Sequence, residues 1–299
     1  MSTARQPAIS VAKGHGTQND FVIVDDPMGE WELTDQAVQA LCDRRAGIGG
    51  DGILRLVQVE HSPEAQQLTR DTDTDAQWFM DYRNADGSIA SMCGNGARVF
   101  VRALHEQGRV STSGHIVTRG GVRSFTVNDD DSITVELGEA VEGLAGDDPV
   151  VRVGATDIAA TAWWLPNPHA VVFVDDLAQV GDLLTAPTVM ANGRFPNGQN
   201  VEFVVDDTDE STGELAVHMR VHERGVGETR SCGTGAAAAA LATRHRHGVT
   251  HAGSVQVDVP GGRLTVLVDE AGVVSLQGPA EIVARGTIDQ NWWDSHGHR

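Results

Sequence analysis

The chain has 299 residues and a formal net charge of -20, with 42 acidic against 22 basic residues. Nucleic-acid binding depends on phosphate neutralisation by lysine and arginine, so this balance argues against a nucleic-acid ligand and favours a small-molecule partner. Three cysteines are too few for a disulfide framework, and no run reaches the roughly 20 apolar residues of a membrane span. The first residues lack a signal-peptide pattern. We therefore expect a reducing, cytoplasmic setting and, from the length, two hydrophobic cores.

The first part of the chain predicts two strands around a polar loop, followed by a helix. The strands lie within residues 9–26, and Thr34 is a suitable N-cap for the helix. The stretch over 47–52 matches G-x-G-x-x-G, the dinucleotide-binding pattern. That pattern needs a strand before it and a helix after it, whereas here a helix precedes and a strand over 53–59 follows. We interpret the stretch as a connecting loop.

The remainder of the first half predicts a buried helix between strands. The acidic segment 60–75 is expected to form an exposed loop or hairpin end. Apolar residues are dense from 97 to 107, directly after Cys93, which predicts a helix that is buried on most of its surface. Alternating apolar and polar residues predict strands from 115 to 137.

The second half of the chain repeats the order of landmarks found in the first half. The phrase Cys93-Gly94-Asn95-Gly96-Ala97 recurs 139 positions later, from 93 to 232, as Cys232-Gly233-Thr234-Gly235-Ala236. The apolar strand and acidic pair over 21–26 are echoed over 171–176, and the glycine pair at 120–121 is echoed at 261–262. Three landmarks in one order at nearly constant offset indicate duplication.

Duplication predicts the fold class and the domain organisation. We expect an α/β (α+β) protein of two pseudo-symmetric domains, each a curved, mostly antiparallel sheet or barrel around a central helix. The first domain is predicted over 1–136 and the second over 137–279. The strand-like segment within about 280–299 is predicted to return to the first half. An active site is expected in the interdomain cleft.

The repeated phrase places a cysteine and two glycines at each helix mouth. Free backbone N–H groups and the helix dipole can bind an anion there and stabilise a thiolate. A thiolate on one face of a substrate could remove a proton from carbon while a thiol on the other face delivers one, which inverts the carbon centre. The single lysine, Lys13, disfavours a pyridoxal-phosphate enzyme, which needs a Schiff-base lysine.

Other roles for the cysteine pair remain open at this point. Core thiols would not need two glycines at the same places after each cysteine, and no close spacing of further ligands suggests a metal site. A redox dithiol usually keeps its cysteines close in sequence. The third cysteine, Cys42, lies on an apolar helix face and is predicted to be a core residue.

Several stretches together give the chain a resemblance to the diaminopimelate epimerase family along nearly its whole length. They are His15-Gly16-Thr17-Gln18-Asn19-Asp20-Phe21, Asn84-Ala85-Asp86-Gly87-Ser88, Cys93-Gly94-Asn95-Gly96-Ala97-Arg98, Asn167-Pro168-His169, and Glu223-Arg224-Gly225-Val226-Gly227-Glu228-Thr229 leading to Cys232-Gly233-Thr234-Gly235. The resemblance implies interconversion of LL- and meso-diaminopimelate for lysine and peptidoglycan precursor synthesis. It implies no cofactor, no metal, and a homodimer.

The resemblance also assigns roles to individual residues. Cys93 and Cys232 would be the catalytic pair, and His169 and Glu223 would help to set their protonation. The residues that would bind the substrate are Asn19, Gln18, Asn84, Gly94, Asn95, Asn167, Asn200, Glu223, Arg224, Gly233 and Thr234.

The sequence departs from the family pattern at two positions. Gln18 stands where the family usually has glycine, and Gly52 stands where it usually has a substrate-contacting glutamine. We hypothesise that Gln18 supplies the amide that is missing at Gly52. Two rival functions stay open: a proline or hydroxyproline racemase, in which a histidine commonly replaces Asn95, and a non-enzymatic redox switch in which Cys93 and Cys232 form a disulfide.

Overall fold

A computed structural model describes residues 8–143, 148–191 and 193–296 of the protein. These residues divide into two compact units. Unit 1 comprises the described residues in 8–16, 20–128 and 280–296, and unit 2 comprises those in 17–19 and 129–279.

Unit 1 is a seven-stranded sheet with helices, and its last strand comes from the end of the chain. Its strands are β1 (Ile9–Gly16), β2 (Asn19–Asp25), β3 (Gly52–Gln58), β4 (Trp78–Asn84), β5 (Ser113–Thr118), β6 (Gly121–Val127) and the final strand of the chain, β19 (Glu281–Ile288). Pairing gives the order β6-β5-β4-β3-β2-β1-β19. The pairs β2/β3 and β4/β5 are parallel, and β1/β19, β3/β4 and β5/β6 are antiparallel.

The described residues of unit 1 also form four helices. They are α1 (Asp35–Cys42), α2 (Pro63–Thr69), α3 (Gly94–Glu106) and α5 (Gln290–His296). The N-cap predicted for α1 is confirmed, since Thr34 Oγ1 accepts a hydrogen bond from the backbone N–H of Ala37. Every residue of α3 from Gly94 to Leu104 is buried, as the density of apolar residues predicts. Cys42 is also buried, and burial raises the pKa of its thiol to about 12.

The loop predicted over 60–75 is wrong for its first half. A short 3₁₀ turn at Val59–His61 runs into α2, which is N-capped by the Ser62 hydroxyl and has Pro63 in its first turn. Serine before proline is a helix-start signal. The acidic composition conceals that signal because only one residue of α2, Ala65, is buried.

Unit 2 is a larger sheet around one helix, α4 (Gly233–Arg246). Its strands are β7 (Ile133–Glu139), β8 (Val141–Glu142), β9 (Val150–Val153), β10 (Thr156–Trp164), β11 (Pro168–Phe173), β12 (Val189–Met190), β13 (Asn200–Asp206), β14 (Leu215–Glu223), β15 (Gly227–Thr229), β16 (Gly253–Val259), β17 (Gly262–Val268) and β18 (Val273–Gly278). The main order is β7-β18-β17-β16-β14-β13-β11-β10, with β11/β13 and β14/β16 parallel and the other pairs antiparallel.

The helix α4 is surrounded by strands because its side chains are small. Residues Ala236 to Ala240 are all fully buried, and α4 contacts the strands β10, β11, β13, β14, β16, β17 and β18. A methyl side chain lets a neighbouring strand approach the helix axis closely. The sequence run of alanines is therefore a packing feature of the core.

The two units share one strand register, which confirms the predicted duplication. The parallel pair β2/β3 sets Phe21 opposite Gly52, and the parallel pair β11/β13 sets His169 opposite Asn200. The two partners are 31 positions apart in the chain in both pairs. The second strand of each parallel pair also has an antiparallel neighbour, which is β4 in unit 1 and β14 in unit 2. The fold is therefore the predicted mixed α/β duplication, and the pairing among the described strands leaves the sheets open rather than closed into barrels.

Candidate active site

Each repeated cysteine is the N-cap of the central helix of its unit. Cys93 Sγ accepts a hydrogen bond from Gly96 N at 3.3 Å, and Cys232 Sγ accepts one from Gly235 N at 3.3 Å. Helix N-terminal N–H groups and the positive end of the dipole favour a thiolate over a thiol. The two mouths are thus built alike, and the differences between them lie in the side chains around each sulfur.

The mouth of α3 in unit 1 carries a buried positive charge. Arg98 is fully buried and donates to Asn95 Oδ1 at 2.8 Å and to Gly94 O at 3.3 Å. Burial lowers the pKa of its guanidinium to about 10, and the charge of Cys93 opposes that lowering. Arg98 therefore remains a cation at neutral pH and attracts a thiolate at Cys93. At the corresponding position of α4, five residues after its cysteine, stands Ala237.

The space behind the first mouth is apolar. A side chain at Gly96 would meet Leu54 Cδ2 at 3.1 Å, Cys93 Cβ at 3.4 Å and Phe21 Cζ at 3.5 Å. Phe21 in turn packs edge-on against Tyr82, with ring centroids 6.0 Å apart. The glycine is required there because β2 and β3 press directly on the first turn of α3.

The corresponding space in unit 2 holds an acid and an imidazole. His169 Nδ1 lies 2.7 Å from Glu202 Oε1, and both side chains are completely buried. His169 Nε2 lies 2.9 Å from Asn167 Oδ1. A side chain at Gly235 would meet Glu202 Oε1 at 2.7 Å and Cys232 Sγ at 3.3 Å, so glycine leaves the room that the carboxylate occupies.

The sulfur of Cys232 is surrounded by polar and acidic groups. Asn200 Nδ2 lies 3.8 Å from Sγ and Thr234 Oγ1 lies 3.6 Å from it. Burial raises the pKa of Cys232 well above its usual value, and the negative charges of Glu223 and Glu202 raise it further. Unit 2 therefore favours a protonated thiol at this position.

Two further residues predicted from the motif, Glu223 and Arg224, lie at the end of β14. Glu223 Oε1 accepts a hydrogen bond from Thr229 Oγ1 at 2.5 Å. Burial raises the pKa of Glu223, and the charge of Glu202 adds to the effect. The backbone N–H of Arg224 donates to Asn200 Oδ1 at 3.0 Å, while its exposed side chain donates to Asn197 O at 2.9 Å. Asn200 is thus held between Arg224 and the sulfur of Cys232.

The loop before β2 is anchored beside Cys232 in unit 2. The buried hydroxyls of Thr17 and Ser231 lie 2.7 Å apart, and Ser231 directly precedes Cys232. Thr17 and Gln18 both have a positive φ, 49° and 63°, a backbone conformation that favours glycine. Gln18 is exposed and Asn19 is half-buried.

Asn84 is held in unit 1 by residues that also explain the departure at Gly52. Tyr82 Oη donates to Asn84 Oδ1 at 2.8 Å, and Asn84 Nδ2 donates to Ser88 Oγ at 2.9 Å. A side chain at Gly52 would meet Tyr82 Cε2 at 2.9 Å and the carbonyl oxygen of Arg83 at 2.5 Å. A glutamine at position 52 therefore requires β4 to move, and the proposed compensation by Gln18 stays a hypothesis.

Three residues at these mouths were not assigned from the sequence: Arg98, Glu202 and Tyr82. Arg98 breaks the match between the two helices, because α4 has Ala237 there. Glu202 is the one charged residue in the apolar run from Val201 to Val205. A carboxylate in a buried strand costs free energy unless it is paired, so Arg98 and Glu202 each carry a signal in the sequence.

Comparison with known proteins agrees with this geometry. The family model described as diaminopimelate epimerase matches residues 11–142 and 165–283. A diaminopimelate epimerase of Streptomyces coelicolor is 48% identical and covers 95% of this chain and 96% of its own length. That of Thermobifida fusca is 45% identical, covering 93% and 97%, and that of Mycolicibacterium smegmatis is 42% identical, covering 94% and 97%.

Solved structures share the fold at low identity. A phenazine biosynthesis protein of the PhzF family from Bacillus anthracis has a TM-score of 0.67 at 18% identity, covering 95% of this chain and 100% of that one. A probable proline racemase from Agrobacterium radiobacter K84 has a TM-score of 0.59 at 16% identity, covering 96% and 94%. Within the described part of the chain, no helix has the length and apolarity needed to cross a membrane.

Proposed function

Because the chain belongs to the diaminopimelate epimerase family, we propose that it interconverts LL- and meso-2,6-diaminopimelate by exchanging the proton at one α-carbon. The observation that carries the proposal is the pair of cysteine-capped helix mouths, one in each unit, with matching Sγ to N distances of 3.3 Å. No cofactor is needed, because the two thiols supply both the base and the acid.

The proton transfer is balanced between the two sulfurs. The thiolate takes the α-proton and becomes a thiol, the electron pair of the broken C–H bond remains on the substrate as a carbanion, and the second thiol returns a proton to the opposite face. The mechanism requires both sulfurs to reach one α-carbon. The reverse reaction begins with the opposite protonation of the pair.

We assign the resting thiolate to Cys93 and the resting thiol to Cys232. The buried cation of Arg98 supports the thiolate at Cys93. The raised pKa of Cys232, from burial and from two neighbouring carboxylates, supports the thiol. The two cysteines cap their helices in the same way, but a cation lies beside Cys93 and carboxylates lie beside Cys232. The first sulfur is therefore a thiolate and the second a thiol.

The helix mouths also provide donors for the substrate carboxylate next to the reacting carbon. The first-turn N–H groups of Gly94, Asn95, Gly233 and Thr234 are suited to this role, because negative charge grows there as the α-proton leaves. We assign the rest of the two-headed amino acid to the remaining polar residues. They are Asn19, Gln18, Asn84, Asn167, Asn200, Glu223 and Arg224.

The test is turnover of LL-diaminopimelate by the purified protein under reducing conditions, followed by chiral separation of the products. Wild type should form meso product until equilibrium. Cys93→Ala and Cys232→Ala should each lose activity by at least about a thousandfold, because each removes an acid or base. Cys42→Ala is the matched control and should retain turnover. Full activity in either catalytic variant, or turnover of proline in place of diaminopimelate, would contradict the proposal.

We further propose that the protein works in the cytoplasm as a homodimer. The support is the biosynthetic role that the family resemblance implies. The protomer mass is 31.8 kDa. Light scattering on the eluting protein should give about twice that mass, and a protomer mass at micromolar concentration would contradict the dimer.

A further inference from the structure

The duplicated scaffold places different pairs of side chains behind the two cysteines. Leu54 lies opposite Ile23 and Glu202 lies opposite Val171, so matching Leu54 with Glu202 also matches Phe21 with His169. This offset of 148 positions corrects the sequence match of 21–26 with 171–176, which is an offset of 150. The glycine contacts agree, since Gly96 faces Phe21 and Leu54 in unit 1 while Gly235 faces Glu202 in unit 2. Unit 1 therefore accepts an apolar pair at these two positions, where unit 2 has an acid and an imidazole.

Glu202 is an unusual residue to find inside the core. Its side chain is 0% exposed, and its Oε1 lies 2.7 Å from His169 Nδ1. Its other oxygen, Oε2, is buried without a hydrogen-bond partner. A buried carboxylate with an unsatisfied oxygen costs folding free energy that a leucine would not. Such a residue is a candidate for a role in the chemistry of the site.

The carboxylate of Glu202 lies close to the sulfur of Cys232. Both atoms lie within 3.3 Å of the same point, the position of a side-chain carbon at Gly235, so they are at most about 6 Å apart. The other ionisable groups here are Glu223 on β14, whose charge raises the pKa of the Cys232 thiol, and His169 on β11, which contacts Glu202. The buried side chains of β10, β16, β17 and β18 that surround α4 are apolar.

We propose that Glu202 is a positioning residue for proton transfer at Cys232, a role that rests on the proposed epimerase function. Its carboxylate holds the imidazole of His169 through Nδ1, and its fixed negative charge keeps Cys232 protonated in the resting enzyme. Leu54 provides neither effect at Cys93. Unit 2 has an acid and an imidazole where unit 1 has an apolar pair, and this difference makes Cys232 the proton donor.

The experiment measures alkylation of each cysteine by iodoacetamide across a range of pH, with the modified site identified by mass spectrometry. The midpoint of each profile reports where that thiol ionises, independently of how exposed it is. Glu202→Gln keeps an acceptor for His169 and removes the charge. The midpoint for Cys232 should fall by about one pH unit in this variant, and the midpoint for Cys93 should not move.

Two further variants separate charge from packing. The double variant Glu202→Leu with His169→Phe copies the pair that already fits in unit 1, so it should fold, and it should also lower the Cys232 midpoint. Asp258→Asn removes a carboxylate from β16, where it pairs with Arg263 at 2.7 Å, and should leave the Cys232 midpoint unchanged. An unchanged Cys232 midpoint in both the Gln and the double variant would overturn the proposal.

Kinetics with diaminopimelate provide a second readout. In Glu202→Gln, the alkaline limb of the kcat/KM profile should move to lower pH by the same amount, with KM at neutral pH changed by less than about twofold. An alkaline limb that stays in place would contradict the charge effect. The alkylation profiles need no substrate, so a protein that fails to turn over diaminopimelate would refute the epimerase function and still test Glu202.

Discussion

At the scale of single residues, the two cysteines differ through the charges next to them. Arg98 is a buried cation in unit 1, and Glu202 and Glu223 are acidic groups in unit 2. Cys93 is half-buried and Cys232 is 6% exposed. Asn95 and Thr234 occupy the same place in the two repeated phrases but make different contacts, to Arg98 and to the sulfur of Cys232. The two cysteines therefore have the same backbone setting but different electrostatic surroundings.

The exposed amide of Gln18 gives a prediction at this scale. If it contacts the substrate in place of the glutamine absent at position 52, Gln18→Ala should raise KM about fivefold through loss of one hydrogen bond, with kcat nearly unchanged. Gln18→Asn keeps an amide and tolerates the positive φ, so it should recover part of the affinity. The measurement is steady-state kinetics with LL-diaminopimelate. A KM for Gln18→Ala equal to that of wild type would reject the compensation hypothesis.

At the scale of elements, cysteine replaces the usual oxygen side chain as the N-cap of α3 and α4. Aspartate, asparagine, serine and threonine dominate that position in other helices, as Thr34 and Ser62 do here for α1 and α2. A cysteine cap is longer and weaker, since both Sγ to N distances are 3.3 Å. Its use in both central helices supports the proposed catalytic role of the two sulfurs.

The buried arginines of α3 provide a matched pair of substitutions. Arg98→Met removes the cation beside Cys93, so the midpoint of the Cys93 alkylation profile should rise by about one pH unit, because the thiolate loses its attraction. Arg102 lies one turn further along α3, is also buried, and donates to Ala280 O at 3.0 Å. Both changes should lower the free energy of unfolding by about 2 kcal/mol.

The two arginine variants should therefore have similar free energies of unfolding but different midpoints of the Cys93 alkylation profile. Thermal unfolding followed by circular dichroism gives the first comparison, and iodoacetamide alkylation gives the second. Equal shifts of the Cys93 profile in Arg98→Met and Arg102→Met would show that the effect comes from loosening of α3. No shift in either variant would remove Arg98 from the account of the resting thiolate.

The helices show which elements the sequence could predict. The central helices were predictable because cysteine, glycine and small or apolar residues recur in one order at each start. The helix α2 was missed because it buries almost nothing, and composition then outweighed its serine and proline start. The loop over 47–52 was placed correctly between α1 and β3, because the order of elements excludes the dinucleotide motif.

At the scale of the whole molecule, duplication accounts for what could be predicted and for what could not. Repeated landmarks indicate two copies of one α/β unit, and the equal 31-residue separation of partners in β2/β3 and β11/β13 bears this out. The acid and imidazole behind Cys232 depend on which side chains of β11 and β13 face α4. Alternation in a strand tells which residues share a face, but pairing across a parallel crossover is known only after folding. His169 stands in a recognisable motif, whereas the signal at Glu202, a charge in an apolar run, does not tell what the carboxylate contacts.

The central proposal is that two thiols exchange one α-proton with solvent on opposite faces of the carbon. The most direct measurement is conversion of LL-diaminopimelate in deuterated water under reducing conditions, stopped at early conversion, with deuterium located in product and remaining substrate. We expect one deuterium at the inverted α-carbon of the meso product and no deuterium in the remaining substrate, because the proton removed and the proton added reside on different sulfurs. Deuterium appearing equally in recovered LL-diaminopimelate, or meso product without deuterium, would contradict it.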